Sequence, residues 1–349
     1  MQVTEGIYQL LTPFPQFTID EAKKLRKELE EHPRVTKGLP YVLPYMIKDR
    51  GDTVLVDCGW NTESAYSALE ADMKEHGSHP SEVAKLVITH VHPDHYGMAG
   101  KVKQVSSCEV IIHEKDAEVI TSRYYGPKGL ADEMAKFMEV HGVPPMSAPT
   151  MSQGSMGMLD KVAAVPPDRP VKGGEVIRAG SFEFELIWTP GHSPGHICLY
   201  EPNRKILLTG DHILPTITPN VSMHAQTHGN PLGDYMRSLE IVAELDVELV
   251  LPAHEFHIKD LKKRVREIHD HHRVRLDEID WSRLHEIYQE MTRQAVEELA
   301  RAGVRPEEIR FVRQADMRYV NQGHEVVVPV PEGELSEKDG QVLRESFRD

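Results

Sequence analysis

Three histidines and an aspartate fall within six positions in Thr89-His90-Val91-His92-Pro93-Asp94-His95-Tyr96-Gly97. Imidazole and carboxylate are side chains that hold zinc and other divalent transition ions, so this spacing offers a metal site. The apolar run Ala84-Lys85-Leu86-Val87-Ile88 precedes the cluster and reads as a buried strand. A loop at the end of a fixed strand can fan such side chains toward one point. A structural zinc site or a solvated histidine-rich loop would show the same local run, so residues elsewhere must decide.

Three further strand-like runs end in the same residue types. Phe184-Glu185-Leu186-Ile187-Trp188 leads into Thr189-Pro190-Gly191-His192-Ser193-Pro194-Gly195-His196. Lys205-Ile206-Leu207-Leu208 leads into Thr209-Gly210-Asp211, and Val247-Glu248-Leu249-Val250-Leu251 into Pro252-Ala253-His254-Glu255. Donors repeated at strand ends favour a site built on loops that a rigid scaffold holds. The chemistry this suggests is metal-dependent hydrolysis. A bound zinc ion lowers the pKa of its water toward ~7, so hydroxide is available at neutral pH, and cations polarise a substrate carbonyl without any Ser or Cys nucleophile.

The ordered set His-x-His-x-Asp-His, Pro-Gly-His, Gly-Asp and strand-terminal His resembles the metallo-β-lactamase-fold hydrolase superfamily, over roughly Val3 to Ile279. The resemblance implies two divalent metal ions, one held by His90, His92 and His192, the other by Asp94, His95 and His254. Asp211 would bridge them, and Asp94 and Asp211 would be the catalytic carboxylates. It also implies that Asp57, in Val54-Leu55-Val56-Asp57-Cys58-Gly59, supports the ligands from behind. For His196, a hydrogen bond to that set or a plain loop role is expected rather than ligation. Zinc is the expected metal; iron or manganese suits the same donors.

Within that superfamily, Thr-His-Val-His-Pro-Asp-His and Thr-Pro-Gly-His look most similar to hydroxyacylglutathione hydrolases and related acyl thioesterases. A carboxylic thioester, a small-molecule substrate, is therefore the expected target. Lactonases and β-lactamases are the nearest alternatives, and phosphodiesterases, ribonucleases and non-enzymatic binding proteins share the scaffold. A flavin-partnered iron reductase of this fold would need a flavodoxin-like domain, which the sequence lacks. No substrate-binding residue is identified.

Other candidates carry weaker readings. His113 follows the strand-like Val110-Ile111-Ile112 and reads as a partly buried histidine; His212, His224, His228 and His257 could line a pocket, though each alone reads as structural. Tyr235 opens an amphipathic helix and reads as packing rather than substrate contact, as do Phe14 and Phe17 near the start of the chain.

The elements that must position these residues follow from the same patterning. Strands are expected over Tyr41 to Ile47, Thr53 to Val56, Lys85 to Thr89 and Glu109 to His113, with helices near Thr62 to His76 and Met98 to Val105. A second strand-rich half runs from about Phe182 to His254. The expected architecture is α/β, the four-layer αββα sandwich that the resemblance also implies, with a C-terminal helical and short β extension. Residues 1–279 form the expected hydrolase domain, with an inserted cap at about 121–170. In that insertion Met146, Met151, Met156 and Met158 either contact an acyl group or pack on the sandwich.

Residues 280–349 read as a separate segment, with a helical stripe at Leu284, Ile287, Met291, Ala295 and Leu299. The run from Ala315 to Pro331 resembles the C-terminal region of the hydantoinase A and 5-oxoprolinase family. The nucleotide-binding and main catalytic body of that family is missing, so its activity is not implied.

Composition limits the partners. The chain of 349 residues carries 55 acidic against 40 basic residues, a net charge of −15, which disfavours nucleic acid. The basic stretch Lys262-Lys263-Arg264-Val265-Arg266 interleaves with Leu261, Val265, Ile268, His272, Leu276 and Ile279 at helical spacing, and is expected to form a solvated helix face. No membrane span and no signal sequence are expected, and a cytoplasmic location follows. Cys58, Cys108 and Cys198 are expected to be buried reduced thiols.

Overall fold

Of the apolar runs that precede the ligand motifs, those before His90, Asp211 and His254 form strands covered on both faces and lack alternation. The run before His192 alternates, with Glu183 and Glu185 exposed between buried Phe182, Phe184 and Leu186. A computed structural model of the protein describes residues 1–31, 39–125, 127–140, 159–227 and 229–278, with residues 293 and 301 and the strands 309–313 and 326–330. The chain divides into two compact units, Met1–His269 and Asp270–Asp349.

In the first unit, the elements up to the first ligand cluster are β1 (Gln2–Thr4), β2 (Ile7–Gln9), β3 (Thr12–Pro13), α1 (Ile19–Glu31), β4 (Tyr41–Val42), β5 (Tyr45–Asp49), β6 (Asp52–Val56), α2 (Glu63–Glu75) and β7 (Lys85–Val87). Next come α3 (Pro93–Tyr96), α4 (Ala99–Ser106), β8 (Glu109–His113), α5 (Glu114–Ile120), a π-helical turn (Thr121–Tyr125), α6 (Pro127–Val140) and β9 (Arg169–Val171). The second half contains β10 (Val176–Ala179), β11 (Phe182–Trp188), β12 (Ile197–Glu201), β13 (Ile206–Gly210), α7 (Pro231–Ala243), β14 (Leu249–Pro252) and α8 (Leu261–Asp277).

Seven strands make one sheet in the order β1-β2-β5-β6-β7-β8-β9, and five make a second in the order β10-β11-β12-β13-β14. Alternate residues of each strand sort into different cores. Val54, Val56, Val87 and Ile111 of the first sheet meet Phe184, Leu186, Leu199, Leu208 and Leu251 of the second. Leu55, Leu86 and Val110 point the other way, onto Leu69 of α2, Val102 of α4 and Val119 of α5. Leu207 and Val250 pack outward on Tyr235, Leu239 and Val242 of α7 and on Leu261 and Val265 of α8. Three cores between four layers make the αββα sandwich, and burying each Val, Leu or Ile contributes about 1.5–3 kcal/mol.

The run Tyr41 to Ile47, expected as one strand, is two. Pro44 has no N–H to give to a ladder, and the chain breaks there: β4 pairs with β3, whereas β5 pairs with β2 and β6. At the break the Leu43 N–H donates to the Ala253 carbonyl at 2.8 Å, and the Pro44 carbonyl accepts from Leu10 N at 2.8 Å. The expected helix near Thr62 to His76 is α2, with Thr62 as its N-cap accepting from Ala65 N.

The basic stretch on α8 is solvated with one exception. Lys262, Lys263 and Arg266 are exposed, but Arg264 donates through Nε to the Leu214 carbonyl at 2.7 Å and through a terminal nitrogen to Ile217 O at 2.8 Å. That arginine braces the loop after β13. All three cysteines are buried and free. Among the described residues no helix is long and apolar enough to cross a membrane.

In the second unit, β15 (Ile309–Arg313) and β16 (Val326–Val330) pair in parallel, with Ile309 opposite Val326. The expected helical stripe from Leu284 to Leu299, the hydantoinase-like run outside β16, the methionines Met146 to Met158 and His228 lie outside the described residues.

Candidate metal centre

Every proposed ligand sits just past a strand end or in the short helix that follows one. His90 and His92 follow β7, Asp94 and His95 lie on α3, His192 follows β11, Asp211 follows β13 and His254 follows β14. The structure brings all seven together in two groups, His90, His92 and His192, and Asp94, His95, Asp211 and His254, whose donor atoms within each group lie within 4.8 Å of one another.

In the first group His90 Nε2 lies 3.0 Å from His92 Nδ1 and 3.2 Å from His192 Nε2. In the second, His95 Nε2 is 3.4 Å from both Asp94 Oδ2 and Asp211 Oδ1, and His254 Nε2 is 3.4 Å and 3.3 Å from the same two oxygens. Asp211 faces both groups, because its Oδ2 lies 3.5 Å from His192 Nε2.

The far nitrogens of four rings have acceptors that set their tautomers. His95 Nδ1 donates to Asp57 Oδ2 at 2.8 Å, His254 Nδ1 to the Tyr41 carbonyl at 2.8 Å, and His192 Nδ1 to the Asn220 carbonyl at 2.7 Å. His90 Nδ1 is 3.1 Å from Thr89 Oγ1, a hydroxyl that donates to Asp57 Oδ2 at 2.8 Å. Each Nε2 is thereby left with its lone pair aimed into the cluster. His95 Nε2, His254 Nε2 and Asp211 Oδ1 are buried and complete no hydrogen bond. Such an unpaired buried group costs about 1–3 kcal/mol, and a cation is what relieves several at one point. Donors at ~2.0–2.1 Å from one tetrahedral ion stand about 3.3–3.4 Å apart, close to the spacings found here. The residues present fit a pair of divalent ions.

Electrostatics differ between the groups. Burial, then the neighbouring imidazoles, hold His90 and His92 well below the usual histidine pKa. Burial also opposes charge on His95 and His254, but the surrounding carboxylates outweigh it, so His95 is raised and His254 is raised to about 10. Burial pushes Asp94 and Asp211 up, and the same two histidines overcome it and hold both carboxyls well below the usual range.

Asp57 stands in the left-handed region at φ 59°, a conformation that costs a non-glycine residue about 1–3 kcal/mol. There its Oδ1 accepts from Thr89 N at 2.8 Å, so one carboxylate holds the backbone of the first motif and the ring of His95. His196, fully buried, accepts from Asp211 N at Nε2 (3.2 Å) while its Nδ1 pairs with Thr89's counterpart Thr189 at 2.8 Å. It orients Asp211 and lies outside the two ligand groups.

Asp116 was not legible as part of the site. Fully buried in the first turn of α5, it accepts from Val91 N at 2.8 Å, Ser193 Oγ at 2.9 Å and Gly195 N at 2.7 Å. It ties the loop of His90 and His92 to the loop of His192. A Cβ on Gly195 would come within 2.7 Å of the Asp116 carboxylate, so only glycine permits this approach. An acidic residue in the first turn of a helix is common for reasons of helix polarity, so its position gave no signal.

The remaining candidates separate clearly. Phe14 stands against the site, its ring 6.0 Å from that of His254 and 5.9 Å from Trp60. Tyr235 is core, its hydroxyl donating to the His212 carbonyl at 2.8 Å, and His212 is buried against it. His113 stacks on Trp188, and His257 approaches Gln9, so neither joins the ligand groups. His224 is half-buried, and burial lowers its pKa to about 4.

Residues 38–254 match the metallo-beta-lactamase superfamily. The chain belongs to that superfamily. Its fold is shared with a metallo-beta-lactamase family protein of Thermus thermophilus, at a TM-score of 0.67 and 28% identity, covering 79% of this chain and 82% of that one. The probable metallo-hydrolase YqjP of Bacillus subtilis is 26% identical over 248 residues, 68% of this chain and 74% of its own length. The human acyl-coenzyme A thioesterase MBLAC2 is 27% identical over 221 residues, 60% of this chain and 71% of its own length. An uncharacterized protein of Aquifex aeolicus is matched over 59% of its length, at 29% identity. By these likenesses the chain is a metallo-hydrolase of the superfamily.

Proposed function

We propose that the protein hydrolyses a carboxylic thioester at a dinuclear metal centre. His90, His92 and His192 would hold one divalent ion, Asp94, His95 and His254 the other, and Asp211 would reach both. The observation that carries the dinuclear reading is the placement of Asp211, with Oδ2 3.5 Å from His192 and Oδ1 3.3 Å from His254. The nitrogen and oxygen donors suit zinc, with iron and manganese as the other candidates.

When bound, such ions supply Lewis acidity for an acyl oxygen and acidify a coordinated water. The protein's own residues do the rest. Asp57, Tyr41 and Asn220 fix the imidazoles by their far nitrogens, His196 orients Asp211, and Phe14 and Trp60 form an apolar wall beside His254. A thiolate leaves with little help from a general acid, which matches a site made mainly of ligand histidines and carboxylates. The likeness to an acyl-coenzyme A thioesterase supports the same substrate class. Lactone or β-lactam opening is the second reading, since the same centre suits any activated acyl carbon.

The test is elemental analysis joined to a panel of thioesters, lactones, β-lactams and phosphodiesters. Close to two ions per chain and the highest kcat/KM on thioesters are expected, with activity lost on chelation and restored by zinc. Clear preference for a lactone or phosphodiester over every glutathione and coenzyme A thioester would refute the thioester reading and leave the metallo-hydrolase standing.

A further inference from the structure

Two aromatic rings beside the second ligand group belong to none of the three hydrophobic cores. Phe14 meets the His254 ring in a T-shaped contact, with centroids 6.0 Å apart at 78°, and meets Trp60 in another at 5.9 Å and 71°. The backbone puts both rings there. Phe14 directly follows β3, where its N–H donates to Pro40 O at 3.0 Å and its carbonyl accepts from Phe17 N at 2.9 Å. In the segment after β6, Cys58 N donates to His95 O at 2.8 Å and Gly59 O accepts from Met98 N at 3.0 Å. Trp60 is thereby held against α3, which carries Asp94 and His95. Gly59, at φ 90°, lets the same segment close on β3, since a Cβ there would come within 2.5 Å of Thr12 Oγ1.

The surface these rings offer is carbon. Phe14 is half-buried and has no polar side-chain atom, and Trp60 is 7% exposed with its indole nitrogen fully covered. The second group meets solvent through its carboxylates, Asp94 at 15% and Asp211 at 9%, whereas His95 and His254 are closed off. A reacting carbon at the ligand groups therefore has an apolar wall on the His254 side. Any group pressed on that wall is carried within a few bonds of the reacting carbon. In thioesters of coenzyme A or glutathione the thiol portion brings an amide that close to the sulfur, and burying an amide where nothing can pair with it is unfavourable. A hydrocarbon acyl group meets no such penalty, and each methylene it buries is worth about 4-fold in binding.

We propose that Phe14 and Trp60 form the subsite for an apolar group borne by the acyl carbon of the substrate, and that they select hydrocarbon acyl groups over hydroxylated or charged ones. The proposal rests on the thioester reading above and adds the residues that choose within that class. A hydroxyl or carboxylate set against these rings loses water and gains no partner, which lowers its kcat/KM relative to a hydrocarbon of the same length.

Coenzyme A thioesters of acetate, butyrate, hexanoate, β-hydroxybutyrate and succinate share one thiol and test this in wild type, Phe14→Ala, Phe14→Leu and Trp60→Leu. In wild type kcat/KM should rise about 4-fold per methylene from acetyl to butyryl, and butyryl should exceed β-hydroxybutyryl and succinyl by about 10-fold or more. Phe14→Ala and Trp60→Leu should each lower the hexanoyl-to-acetyl ratio about 10-fold, and Phe14→Leu, which keeps hydrocarbon at the wall, should lower it less. A residue that only supports His254 or the fold would reduce kcat for every acyl group alike and leave that ratio at its wild-type value. An unchanged ratio in Phe14→Ala overturns the subsite, as does a wild type that prefers acetyl, β-hydroxybutyryl or succinyl. Should Trp60→Leu fail to fold, the half-buried Phe14 decides the matter alone.

A second measurement keeps the two proposals separable. Calorimetry of the metal-loaded protein with the carboxylates acetate, butyrate and hexanoate needs no turnover. Hexanoate should bind wild type about 10-fold or more tightly than acetate, and that gap should narrow in Phe14→Ala. If no thioester is hydrolysed but this pattern holds, the thioester reading fails and the apolar subsite stands. No binding to wild type, equal Kd values for acetate and hexanoate, or the same gap in Phe14→Ala overturns the subsite whatever the activity.

Discussion

At the scale of residues, the centre is a set of imidazoles whose lone pairs are directed by what their far nitrogens meet. Two of the orienting acceptors are main-chain carbonyls, Tyr41 O and Asn220 O, and one is the carboxylate of Asp57. Because Asp211 reaches both ligand groups and His254 only one, their removal should differ. Asp211→Ala should retain well under one ion per chain and lose turnover, whereas His254→Ala should retain about one; two tightly held ions and normal turnover in Asp211→Ala would remove its bridging role. Asp57→Ala removes none of the proposed ligands, yet frees the His95 ring and the Thr89 backbone, so metal affinity or activity should fall about 10- to 100-fold. Metal titration with a competing chelator measures this.

At the scale of elements, strand ends place the donors and short clamps set the distances between strand ends. Asp57 and Glu255 both adopt positive φ, at 59° and 64°, just beyond β6 and β14, and each is held by hydrogen bonds from another segment. Glu255 accepts from Thr216 N at 2.9 Å, fixing the loop that Arg264 also braces. Asp116 performs this service for the two loops that carry the first ligand group. Asp116→Ala leaves Val91 N, Gly195 N and the Ser193 hydroxyl buried without an acceptor, at about 1–3 kcal/mol each. The expected outcome is a large loss of stability together with weaker binding of the first ion. Leu55→Ala, in the outer core between β6 and α2, should cost about 2–5 kcal/mol without altering the metal stoichiometry of the folded fraction. Comparing denaturant midpoints and metal content separates the two effects.

At the scale of the whole molecule, buried histidines of opposite tendency make metal-free stability depend on pH from both sides. His212 is lowered by burial to about 3, so its contribution is present above its ordinary value of 6.5 and lost as pH falls toward 3. His254 is raised to about 10, so its contribution is present below 6.5 and lost as pH rises through 10. The melting temperature of the metal-free protein should peak near pH 6.5 and fall on either side, and metal loading should remove the alkaline fall because cations take over the role of the proton on His254. A metal-free melting temperature that climbs steadily from pH 6.5 to 10 would contradict this. All seven proposed ligands lie in the unit Met1–His269. A chain ending after Ile279 should therefore still bind two ions, as elemental analysis of the folded protein would report.

The types and order of the proposed ligands and the apolar runs before them were legible in the sequence because a run of buried strand residues and a donor at its end are local patterns. The same holds for helix α2 and for the buried thiols. What tertiary structure alone decided is the set of contacts between segments far apart in the chain. The break at Pro44 lets β4 present Tyr41 O to His254 across 213 positions, and Asp116 joins loops 25 and 79 positions away from it. Arg264 leaves the solvated face of its helix because a loop after β13 offers it two carbonyls. None of these has a periodicity or a motif: a main-chain carbonyl is present at every residue, and only the packing of two sheets selects which ones face an imidazole.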